Sequence, residues 1–115
     1  MAFTELYSGS ATISTTEYSL TANSTTLGAV TTDGTFELWI DFSAMTSTEQ
    51  YEIKVYEKVR SADSQMLAIP AATLTGAQPA AYVSIPLILM NGWEMTVKKL
   101  AGTDRTIKWS IRQIS

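Results

Sequence analysis

The chain has 115 residues, 45% of them hydrophobic and 17% charged, which is enough apolar material for one core and too short for two domains. It contains no cysteine and no histidine, which excludes disulfides, thiolate chemistry, Cys-based zinc sites and the usual proton shuttle. The formal net charge of −3 argues against nucleic acid, whose binders carry a basic patch. What remains is mainly binding or structural work.

The segment Met1 to Glu5 has neither the basic n-region nor the apolar h-region of a signal peptide. Phe3, Leu6 and Tyr7 still place three large apolar side chains near a terminus, where chains fray unless docked. Residues 1–10 are therefore expected to form an N-terminal arm, lying on its own domain or on a neighbour, ahead of a β-sandwich domain over residues 11–115. Ala11 to Ser14 and Glu17 to Thr21 read as two brief strands around Thr15 and Thr16.

The clearest strand is Thr35 to Phe42. Phe36, Leu38, Ile40 and Phe42 fall on one face, with Glu37, Trp39 and Asp41 on the other, the period of two of a half-buried strand. A turn is expected over Ser43 to Glu49. Tyr51 to Val59 repeats the alternation, with Tyr51, Ile53 and Val55 inward and Glu52, Lys54, Tyr56 and Lys58 outward. Gln65 to Thr75 is extended but interrupted by Pro70, which suits an edge or a bulge. Ala81 to Ile85 is a further candidate strand, and Pro86 then leaves Leu87, Ile88, Leu89 and Met90 in need of cover. The apolar run from Ile85 to Met90 is far short of the roughly 20 residues of a membrane helix. Trp93 to Leu100 places Met95 and Val97 inward, and 101–104 should turn the chain as a hairpin into Arg105 to Ile114. There Ile107, Trp109 and Ile111 point inward. About eight short strands at regular spacing predict an all-β fold, a single antiparallel sandwich of jelly-roll-like form.

Catalytic arrangements fail one by one. A Ser or Thr nucleophile would need a lysine or an N-terminal amine as its base, and no Ser-x-x-Lys occurs. Glu37 and Asp41 share a strand face but lie roughly 13 Å apart, too far for a glycosidase pair. No calcium loop or glycine-rich phosphate loop is present. No catalytic residue, cofactor or metal is expected.

Binding features carry more weight. Trp39 and Tyr56 lie on the polar faces of their strands, and an indole facing solvent between two acids needs cover. That cover is a second layer of the same subunit, a subunit contact, or a sugar stacked on the ring. Trp93 reads as a core-edge aromatic and Trp109 as core. Charge is also uneven: every residue through Ile53 that carries charge is acidic, while all 8 bases follow. The two portions either pair within one sandwich or meet across copies in an assembly.

Three stretches, 51–60 (YEIKVYEKVR), 88–100 (ILMNGWEMTVKKL) and 109–113 (WSIRQ), carry a resemblance. On them the chain resembles small virion proteins of tailed bacteriophages, in particular head decoration (cement) proteins built as jelly-roll-like β-sandwiches. The likeness runs from about Glu5 to Ile114. It implies a homotrimer on the capsid exterior that clamps major capsid protein subunits. The N-terminal segment, the charge and the short apolar run lead to the expectation of synthesis in the host cytoplasm with neither nucleic acid nor membrane as partner. Phe3, Leu6, Tyr7, Trp39 and Tyr56 are the candidate contact residues. The alternative is a carbohydrate- or receptor-binding module of a phage tail or collar, with Trp39 or Tyr56 as a stacking surface. Only two asparagines, Asn23 and Asn91, are available to such a module, which weighs against it.

Overall fold

The computed structural model describes residues 2–114, with Ile69, Pro70 and Ala71 described by their backbone alone. Met1 and Ser115, the outer bounds of the expected arm and domain, lie outside the described residues. All regular structure among these residues is strand: β1 (Phe3–Ile13), β2 (Tyr18–Ser19), β3 (Gly34–Asp41), β4 (Gln50–Glu57), β5 (Met66–Thr75), β6 (Tyr82–Val83), β7 (Leu87–Leu89), β8 (Glu94–Ala101) and β9 (Arg105–Ile114). They form two antiparallel sheets. The first runs β1-β9-β3-β6, with β7 also paired to β3, and the second runs β2-β8-β4-β5.

Alternation decides which side chains meet. Phe36, Leu38 and Ile40 of β3, Tyr51, Ile53 and Val55 of β4, and Ile107, Trp109 and Ile111 of β9 are all buried, joined by Phe42, Met95 and Val97. Each such side chain contributes about 1.5–3 kcal/mol when fully withdrawn from water. Trp93 also lies wholly inside the core.

Two expectations change. The segment expected as an arm is the first part of an 11-residue strand, paired with β9 from Phe3 opposite Ile114 to Ile13 opposite Arg105. Gly9 makes this approach possible, since a Cβ there would lie 2.6 Å from the Trp109 ring. The turn at 101–104 is not a hairpin, because β8 and β9 belong to different sheets. Met95 and Val97 on one strand and Ile107, Trp109 and Ile111 on the other enter the core from opposite layers, so the turn crosses between sheets.

The remaining elements follow local chemistry. The register slips on both sides of Val55, which pairs with Ile69, so β5 carries bulges next to Pro70 and forms the edge of its sheet. The segment after Pro86 finds cover as β7, which buries Leu87 and Leu89 and leaves Ile88 outward.

One end of the sandwich is fastened by Glu49. Its buried carboxylate accepts from the Thr46 amide (2.7 Å), the Thr46 and Thr48 hydroxyls and Arg105 Nε (2.8 Å). Thr46 and Glu49 thus reproduce half of a helix capping box without a helix. The Thr48 hydroxyl, then the Thr46 amide and the Arg105 guanidinium, hold this carboxyl at about 2 against an ordinary 4.5. A depressed carboxyl stabilises the fold fully above its unfolded value and loses that contribution as pH falls toward its folded value. Glu49→Gln should therefore be much less stable than wild type to urea at pH 7, with the gap closing between about pH 4.5 and 2. A gap of constant size across that range would contradict this role.

Candidate functional site

The outer face of the first sheet brings its side chains together in rows, because opposed residues of neighbouring strands share a face. Phe3 opposes Ile114, Ile114 opposes Thr35, and Thr35 opposes Ile88, so one row crosses four strands. Phe3 is 73% exposed and Ile88 79%. The next row is Glu5, Arg112 and Glu37, followed by Ser8, Ser110, Trp39 and Val83, then Ser10, Lys108 and Asp41. A largely apolar strip therefore borders a charged strip on one sheet face.

Trp39 is already covered in its own chain. The Arg112 guanidinium lies 4.2 Å from the centroid of its ring, and its Nε1 donates to Glu37 Oε1 at 2.8 Å. A guanidinium over an indole face is attracted by the ring quadrupole, by about 0.5–2 kcal/mol. Phe3, Glu37, Trp39, Arg112 and Ile114 together line a hollow of about 290 Å3.

The five candidate contact residues fall in three places. Phe3 and Trp39 share this face and this hollow. Leu6 sits at the register shift between Glu5 and Tyr7 and packs half-buried against the core. Tyr7 turns inward, edge-on to Trp93 with ring centroids 6.0 Å apart, and its hydroxyl meets that of Thr32 at 3.4 Å. Tyr56 lies on β4, in the second sheet, and donates its hydroxyl to Glu17 Oε2 at 2.7 Å. Partial burial, followed by the Glu17 carboxylate, pushes the Tyr56 phenol up to about 12. Arg112 and Ile114 are the face residues that the sequence did not single out, and Ile88 was read only as one of a run in need of cover. Alternation alone puts Arg112 and Ile114 outward, but only the strand order sets them beside Trp39 and Phe3.

Opposite charges from the two portions of the chain face each other across strands, and Glu49 with Arg105 and Glu52 with Lys54 form ion pairs. Asp41 opposes Lys108, Glu37 opposes Arg112 and Glu52 opposes Lys98, while Glu49 bonds Arg105. The uneven charge of the sequence is thus matched in part inside one sandwich. Among the described residues, no three acid side chains gather as a metal set. Comparison with known proteins gives no further guide: no family model, no curated protein and no solved structure matches the chain.

Proposed function

We propose that the chain is a structural virion protein that docks on the outside of a phage capsid and stabilises the shell, with the major capsid protein as its partner. The observation that carries the reading is the four-strand row of Phe3, Ile114, Thr35 and Ile88, apolar but for Thr35, beside the Glu5, Arg112 and Glu37 strip. A protein that grips a shell needs a broad surface with an apolar centre and charges that set orientation, not a deep pocket. The resemblance to decoration proteins supplies the class of partner. A homotrimer would multiply modest contacts through effective concentration. The glycan alternative ranks second, since Arg112 occupies one face of the Trp39 ring and Glu37 holds its N–H.

Co-sedimentation with heads of the encoding phage tests this reading. Wild type should pellet with expanded heads, and the double variant Phe3→Asp, Ile88→Asp should bind about tenfold or more weakly, since two apolar contacts become charges that must be desolvated. Both side chains are largely exposed, so circular dichroism should show the fold unchanged. Equal binding by the two proteins would overturn the assignment of this face.

A further inference from the structure

A second surface differs from the first by its lack of charge. From Ser64 to Trp93 the chain carries no Asp, Glu, Lys, Arg or His; every charged residue lies at or before Asp63 or at or after Glu94. This uncharged run supplies β5, the edge of one sheet, and β6 and β7, at the edge of the other. The two edges lie on the same side of the sandwich, because the space between them is a single apolar cavity of about 250 Å3. Leu38, Ile53, Val55, Tyr82, Ile85 and Leu87 are among the side chains that line it.

We infer that copies of this chain bind one another through this side of the sandwich. Protein interiors leave few voids larger than a water molecule, yet here the core opens to the surface between two edge strands. At the opening stand Ile85, 69% exposed, and Val83, also exposed. Edge strands are usually guarded by charged side chains, and none is present here. Pro70 in β5 and Pro86 between β6 and β7 lack ladder donors, so the contact is made by side chains and not by a continued sheet.

Three features single out a second copy as the occupant. An uncharged patch meets its own image without like-charge repulsion, whereas a charged partner would lose hydration with nothing to pair with. The same patch offers both a hole and exposed aliphatic knobs, so a knob of one copy can enter the hole of the next, in a two-fold pair or in a closed ring. Its size also fits. A ten-residue edge strand of roughly 33 Å along a body 22 Å thick presents on the order of 700 Å2, close to the about 800 Å2 per partner of a stable complex. This contact is separate from the capsid-facing surface and holds whether or not that surface meets a shell.

Sedimentation velocity on the full chain alone reads the result. At about 100 μM the wild type should run as a dimer or trimer, and Ile85→Asp should raise the monomer fraction about tenfold or more with an unchanged far-UV spectrum. Val83→Asp, at a second exposed position of the rim, should act in the same direction if Ile85→Asp proves unstable. Ile88→Asp, on the capsid-facing row, should leave the oligomer intact. A monomeric wild type would overturn the inference, as would an oligomer indifferent to both rim variants. So would a monomer whose cavity takes up a small apolar molecule or an apolar peptide instead.

Discussion

Replacing Trp93 by alanine should destabilise the protein by about 3–5 kcal/mol, the range for removing a buried aromatic. For a domain of this size that is a fall in Tm of roughly 12–20 °C. Trp93 is fully buried, its ring lies 4.6 Å from that of Phe36, and Tyr7 meets it edge-on. Its Nε1 donates to the Thr32 carbonyl at 2.8 Å, and its backbone exchanges two 2.9 Å bonds with Val30. One side chain thus joins β1, β3 and the loop at 30–32. Trp93→Phe should retain most of the packing and cost about 1–3 kcal/mol, chiefly for the Thr32 carbonyl left without its donor. Thermal and urea unfolding of both variants would check the order. A loss below about 1 kcal/mol for Trp93→Ala would mean that the core closes around the gap.

Gly102→Ala should cost about 2–5 kcal/mol, although only one methyl group is added. Gly102 holds φ at +90°, and a Cβ there would come within 2.7 Å of the Thr48 carbonyl oxygen and 2.8 Å of Glu49 Cα. Both are backbone atoms, so nothing can swing aside. A left-handed conformation penalises an L side chain by about 1–2 kcal/mol, and forced overlap adds about 1–3 kcal/mol. Gly76 is the internal control. It has φ +78°, but a Cβ there would meet nothing within 4 Å. Gly76→Ala should therefore show the conformational cost alone, about 1–2 kcal/mol. Equal losses at the two positions would contradict the close contact at the crossing turn.

Why one glycine is tight and the other open is not visible in the sequence, and the same limit explains what else was hidden. Alternation along β3, β4 and β9 identified the core because each strand has one dry and one wet face, a property of the strand itself. That residues 1–10 continue β1 instead of standing ahead of the sandwich was not legible, because Ser8, Gly9 and Ser10 carry no apolar alternation of their own. Gly9 is there for Trp109 to approach, and the serines are the wet side of an edge strand. The turn at 101–104 reads alike whether it closes a hairpin or crosses between layers. Its role depends on which strands flank β8 and β9, and that is decided by the whole fold. For the candidate site, Phe3 and Trp39 were legible as large apolar groups without local cover. The Arg112 lid on Trp39, the Ile114 and Ile88 neighbours and the Glu17 acceptor for Tyr56 all come from distant strands. Pairing of the acidic and basic portions within one sandwich follows from the same adjacency.

The capsid reading stands or falls on a direct view of the protein on its shell. On the proposed reading, a cryo-electron microscopy map of phage heads with the purified chain added should show extra density on the outside of the capsid. That density should fit the two-sheet body with Phe3, Ile88, Ile114 and Arg112 against the major capsid protein. Heads that remain bare at saturating protein, or a bound body whose first sheet faces solvent, would contradict it.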